Sequence, residues 1–343
     1  MKLMPDSQLN GAERALQQSF RKIFVFNGLL LGAFVVLAYL PIQRLPDRRS
    51  HSAIVEPLQY QPVALPPAQG PLHLAGAWVL TASDPRFGGL SGLAMDRGQF
   101  LAVSDLGAVI RFDMPSASQP KAMISDLRVG PGSFGKKTSR DAESIVRDPG
   151  GRGWWVGYEQ HHSLWLYNRE FDHALAAVDL GQLGWFDNRG AEGLLADGDR
   201  LLVTAENGRD AVEAGPNGIK RSSLGAGHDV ADAARAPDGS AWLLLRSKGL
   251  NGISQAIAPL LGDRQNYRVG AGWALPKDAF DNFEGMAIER LANGSWRFWL
   301  VTDDGHRFMA RTLLVALDYA PAAQNKSPAT RAGPSKPQTS KKS

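Results

Sequence analysis

The sequence predicts an all-β propeller of about six blades, preceded by one N-terminal transmembrane helix. Three observations predict it. A two-strand unit recurs along the chain, the centre of each unit falls on a turn residue, and one apolar run precedes the first unit.

The chain has 343 residues, 43% of them hydrophobic and 21% charged, which suits a globular domain with a large core. Its 37 Gly and 21 Pro favour a fold with many turns over a helical bundle. There are 0 Cys, which excludes disulfides, thiolate zinc sites and cysteine nucleophiles. The net charge of +4 comes from the tail, where Lys326, Arg331, Lys336, Lys341 and Lys342 stand without an acid among them. The remainder is slightly acidic. With no recognition-helix pattern and no aromatic-basic strand motif, nucleic acid is not expected as a partner.

Residues 1–22 read as a cytoplasmic segment, followed by the run from Ile23 to Ile42, broken only by Asn27 and Pro41. About 20 apolar residues suffice to cross ~30 Å of hydrocarbon as a helix. The run therefore reads as a transmembrane helix, with a cleaved signal sequence as the alternative through the small-residue site Val36-Leu37-Ala38. Arg21 and Lys22 precede it, and Arg44, Arg48 and Arg49 come after it, so its flanks do not orient it. The globular character of the chain beyond this run favours the N-terminus inside and the bulk outside. Residues 43–70, rich in Pro, Arg and Gln, read as a linker, 71–320 as the propeller, and 321–343 as a disordered basic tail.

Five segments share one plan: a polar residue, a strand, a turn and a second strand ending in another polar residue. They run from Ser91 to Asp105, Glu143 to Glu159, Glu192 to Glu206, Asp232 to Arg246 and Glu284 to Asp303. In a hairpin, paired residues share a midpoint. The five midpoints fall on Gly98, Gly151, the Asp197-Gly198-Asp199 turn, Gly239 and Asn293-Gly294, where positive φ is tolerated. A spacing of about 40–50 residues is that of a four-stranded propeller blade. Ser163–Asn168 and Ala176–Leu180 fit third and fourth strands of one blade. Leu74–Leu80 and Thr312–Tyr319 fit a blade completed from both chain ends, and the stretch from Ile253 to Leu275 suggests a further, degenerate one.

Equivalent positions in successive blades converge on the propeller axis, so the polar ends predict a ring. Its metal-ligand candidates are Asp105, Glu143, Glu159, Glu192, Glu206, Glu284 and Asp303, with Asp232, Arg246 and Ser91 in the same register. Crowded carboxylates resist ionisation, and a hard cation such as Ca²⁺ relieves them with six to eight oxygens. Two other readings stay open: structural pairing with Arg140, Arg189 and Arg246, and direct acid–base use of the carboxylates.

Arg140-Asp-Ala-Glu143, Asn188-Arg-Gly-Ala-Glu192-Gly, Asp281-Asn-Phe-Glu284-Gly, Thr302-Asp-Asp304 and Arg311-Thr-Leu-Leu together resemble the phytase-like domain known as "esterase-like activity of phytase". The likeness runs from about Gly88 to Tyr319. It implies a bacterial, often exported propeller named for hydrolysis of phosphate or carboxylic esters. The chain departs from the family pattern at Asp303-Asp-Gly-His306, where Asp-Asp-Asn-Phe is expected.

Some motifs are decoys. Gly130 to Thr138 nearly matches a P-loop, but Lys137 stands where Ser or Thr is required. Gly89-Leu-Ser91-Gly-Leu93 lacks the second Gly of a nucleophile elbow. His161-His162, His228 and His306 can serve as ligands or bases, with exposed loop residues the commoner outcome, and Trp154, Trp155, Trp242 and Trp299 read as core.

The sequence thus predicts a single-pass protein of the bacterial inner membrane with a periplasmic hydrolase domain. Glu192 and Glu143 are the catalytic candidates at a Ca²⁺-holding ring, while Arg140, Arg189 and Arg246 would bind an anionic small-molecule ester. The alternative is a non-catalytic envelope propeller that binds a partner.

Overall fold

The computed structural model describes residues 52–134, 137–186, 189–215, 218–249, 252–262, 266–278, 281–307 and 310–321. The apolar run from Ile23 to Ile42 and the basic tail lie outside the described residues. Among those described, no helix is long and apolar enough to cross a membrane. The helical pieces among the described residues are single turns, Lys137–Arg140 and Gly181–Leu183.

Five antiparallel sheets form five blades. Their inner strands are Leu90–Asp96, Ala142–Arg147, Ala191–Asp197, Asp229–Arg235 and Phe283–Arg290. Each packs against the next, and the fifth against the first, so the ring is closed. Closure uses both chain ends. Blade five continues from Leu313–Tyr319 to Leu72–Thr81, paired from Leu313↔Val79 to Tyr319↔Leu72, and then to Gln59–Pro62.

The count is five blades, not about six. Gly252–Leu261 is the third strand of blade four, paired with Ala241–Gly249 from Leu260↔Ala241 to Gly252↔Gly249. Trp273 and Ala274 pair on its far side. The stretch that suggested another blade therefore completes an existing one. The expected linker is also partly structured: Ile54–Pro57 adds an outer edge to blade one, and Gln59–Pro62 does so for blade five. Pro57 and Pro62 sit on these outermost strands, where a missing N–H is tolerated.

The five turn positions hold. Gly98, Gly151, Gly198, Gly239 and Gly294 all have positive φ. In the first hairpin both central residues do, Arg97 at 53° and Gly98 at 82°, which matches the right-handed twist of the flanking strands.

The core lies between blades. Five apolar clusters fill the five interfaces, such as Phe100, Ala102, Trp299 and Val301 between blades one and five. All four tryptophans assigned to the core are buried. Near the axis the inner strands approach so closely that side chains are excluded. A Cβ on Gly92 would stand 2.9 Å from both Ile145 N and Ser144 Cα of the next blade. Gly193 and Gly285 occupy the same register in blades three and five. In blade two Ser144 fits there, its hydroxyl donating to the Ala191 carbonyl of blade three at 2.6 Å.

Gly92→Ala should part the inner strands of blades one and two, lowering stability by about 1–3 kcal/mol as overpacked cores do. Equilibrium denaturation of the purified domain measures it.

Candidate functional site

Each inner strand carries one extra residue opposite its neighbour, a bulge at the channel mouth. In blade one Leu90 pairs with Ser104 and Gly92 with Val103, which leaves Ser91 as the extra residue. The equivalents are Glu143, Glu192, Ala231 and Glu284. A bulge re-aims a side chain, and here it sends three glutamates toward the mouth. The residue after each second-strand partner forms the other half of the ring: Asp105, Glu159, Glu206, Arg246 and Asp303. Four of these are held by a backbone bond to the entry of the inner strand, as in Asp105 N to Gly89 O and Glu159 N to Asp141 O.

Asp232 is not a ring member. Blade four is offset by one residue, so Ala231 takes the bulge and Asp232 takes the place of the axial glycines. Midpoint symmetry cannot detect a one-residue bulge, which explains the misplacement. Asp232 is 1% exposed and accepts N–H bonds from Ala233 at 2.7 Å and Met286 at 2.6 Å. Leu93 of blade one also donates to it, so this carboxylate ties three blades together at the axis. Burial drives its carboxyl well above the usual carboxylate range, and the three N–H donors oppose that.

The remaining acids divide into sectors. Carboxylate oxygens of Glu159, Glu192 and Glu206 lie within 4.8 Å of one another, as do those of Asp141, Glu143 and Glu159. Glu192 and Glu206 are buried, while Glu143 and Glu159 are half-buried. Across from them Arg246 donates to Glu206 Oε1 at 2.6 Å and to Glu284 Oε1. Asn282 Nδ2 also donates to Glu284 Oε1, at 2.7 Å, and the buried Glu284 Oε2 has no hydrogen-bond partner among the described residues. Asp105 and Asp303 stand in the remaining sector, at the seam of blades one and five.

Burial raises the Glu192 carboxyl well above its usual range, and the negative field of Glu284 adds to it, against the opposing charge of Arg246. Glu284 is raised by burial, with Arg246 opposing. Asp303 is raised by burial and then by Asp105 and Glu284.

The arginines serve different ends. Arg140 is buried and donates to the carbonyls of Leu127, Arg128, Pro131 and Ser139, which pins the loop before blade two. Arg246 is an internal counter-charge. Arg189 lies partly exposed at the mouth, 3.9 Å from Asp229. Lys248 was missed: its Nζ stands 3.4 Å from Glu206 and 3.8 Å from Asp229, and its side chain is 59% exposed. Strand periodicity was the available signal, because Arg246 and Lys248 are two apart and share a face. Of the family motifs, Asp281 pairs with Arg311 at 3.0 Å, and Asp304 accepts Gly89 N at 2.9 Å, so both fasten the fold.

A family model described as "Phytase-like: Esterase-like activity of phytase" matches residues 85–306. The chain belongs to this phytase-like family. No curated protein matches it. Among solved structures, the phytase-like chain is similar to a glutaminyl cyclase of Myxococcus xanthus, at 13% identity and a TM-score of 0.49, covering 75% of this chain and 100% of that one. It is also similar to a GH62 α-L-arabinofuranosidase catalytic domain of Coprinopsis cinerea, at 11% identity and TM-score 0.47, covering 76% and 97%. The PQQ-bound aldose sugar dehydrogenase of Streptomyces coelicolor gives 11% and 0.45, covering 74% and 100%.

Two outcomes are expected of the metal-free phytase-like domain. Arg246→Met leaves Glu206 and Glu284 buried without their counter-charge and should cost about 3–5 kcal/mol, read by denaturant unfolding. Above pH ~4.5 an unfolded chain has released protons that folded Glu192 and Asp303 retain to higher pH, because burial raises both carboxyls. Fewer protons on the unfolded state means stability falls as pH rises. In chelator, the melting temperature should therefore be lower at pH 8 than at pH 5.

Proposed function

We propose that this phytase-like propeller hydrolyses an anionic phosphate or carboxylic ester at the mouth of its channel, with a Ca²⁺ ion as cofactor. One observation carries the reading: Glu159, Glu192 and Glu206 bring their carboxylates within 4.8 Å of one another at one end of blades two and three. The donor set fits a hard cation. It is all oxygen, and beside Arg246 the Glu284 Oε2 is buried without a hydrogen-bond partner among the described residues.

Glu159, Glu192 and Glu206 would hold the ion, which when bound supplies charge stabilisation to ester oxygens and acidifies a water. Glu143 shares the second carboxylate group with Glu159 and Asp141, and so stands beside the first. It is half-buried and takes the proton of the attacking water as general base. Arg189 and Lys248 draw the anionic end of the ester to the mouth, each keeping much of its side chain in solvent. Arg246 keeps Glu206 and Glu284 in place. The apolar run from Ile23 to Ile42 supports attachment to the bacterial inner membrane with the propeller in the periplasm, or export after signal cleavage.

Turnover of a panel of phosphate and carboxylic esters, with and without chelator, tests the reading. Wild type should lose activity in chelator and regain it with Ca²⁺. Glu143→Gln should lower kcat by about 10²-fold or more while Ca²⁺ still binds. Lys248→Ala should raise KM with little change in kcat. Ca²⁺ binding without turnover of any ester would instead mark a non-catalytic propeller that binds its partner at this mouth.

A further inference from the structure

We propose that Asp105, Asp303 and His306 form a second metal site at the seam of blades one and five, selective for a first-row transition-metal dication. This goes beyond the Ca²⁺ reading and does not rest on it.

The site is built by the turn after blade five's second strand. Asp304 accepts N–H bonds from Gly89 at 2.9 Å and from His306 at 3.0 Å, and its other oxygen accepts the Thr312 hydroxyl at 2.8 Å. One carboxylate therefore fastens the turn to blade one. The turn holds His306 at φ 51°, a left-handed conformation uncommon for a non-glycine residue. The imidazole is 7% exposed, and its Nε2 is buried with no hydrogen-bond partner among the described residues.

Gly89 locates that nitrogen. A Cβ placed on Gly89 would overlap Asp105 Oδ1 and stand 3.4 Å from His306 Nε2, so both atoms face the same small space. Asp303 lies close enough to Asp105 for their like charges to raise its carboxyl, after burial. The buried, unpartnered Glu284 Oε2 contributes to the same field.

A desolvated nitrogen without a partner is unfavourable. A cation shared with the two aspartates removes that cost and their repulsion together. The nitrogen also sets the metal class. Imidazole suits zinc, iron, nickel and copper, whereas calcium and magnesium take oxygen. The mouth would then carry two chemically different ions, an oxygen-bound one on blades two and three and this one opposite.

The test titrates Co²⁺, followed by its visible absorption, and Zn²⁺, by equilibrium dialysis, into tag-free protein saturated with Ca²⁺. Wild type should bind one equivalent of either. His306→Asn should weaken that binding by at least about 10-fold, since asparagine accepts left-handed backbone but offers no imidazole. Asp303→Asn, which keeps the oxygen that accepts Gly305 N, should weaken it similarly and serves where the first variant fails to fold. Retained Ca²⁺ binding in both variants separates this site from the glutamate one. No transition metal on Ca²⁺-loaded wild type, or equal affinity in the folded variants, overturns the proposal.

Discussion

The close meeting of five inner strands at the axis is the constraint on which the rest depends. At the register of Gly92, Gly193 and Gly285 a neighbouring blade stands where a side chain would be, and only Ser144 and Asp232 carry one there. Both use it to bond a neighbouring blade. The strands cannot stay regular through so narrow a passage and also flare at the mouth. Each takes a bulge one residue earlier, and the bulge is what re-aims Glu143, Glu192 and Glu284. The acidic mouth follows from how the propeller closes.

That mouth is electrostatically unfinished. Arg246 neutralises part of the charge of Glu206 and Glu284, and Lys248 reaches Glu206 from solvent. Glu192, Glu284 and Asp303 are left with carboxyls raised by burial and by neighbouring acids. A site that holds protons against its own charge is one that a cation can occupy by displacing them. The same physics would link the fold to its proposed chemistry, because the groups that repel one another in the ring are those that would bind a cation.

Much of this was legible in the residues. Turn glycines have a conformational signature, so all five hairpins could be centred from sequence, and the two chain ends that share blade five carried matching apolar runs. The number of blades was less legible. Gly252–Leu261 is long and lies between two repeats, and only its pairing with Ala241–Gly249 shows which sheet it completes. The ring was legible as a set and not residue by residue. A bulge adds one residue without altering composition, and its break in alternation falls at the strand's end where few residues show it, which put Asp232 at the mouth when it belongs at the axis. Arg140 looked like an anion ligand because charge was all that could be read. Its carbonyl partners come from a loop whose course no local pattern reveals.

The central claim is that the glutamates of blades two and three form a cation site. Calorimetric titration of Ca²⁺ into metal-free protein, compared between wild type and Glu192→Gln, tests it most directly. The account predicts saturable binding to wild type with proton release at neutral pH, and loss of that binding in a variant that remains folded. Binding of equal strength in both proteins, or none in wild type, would contradict it.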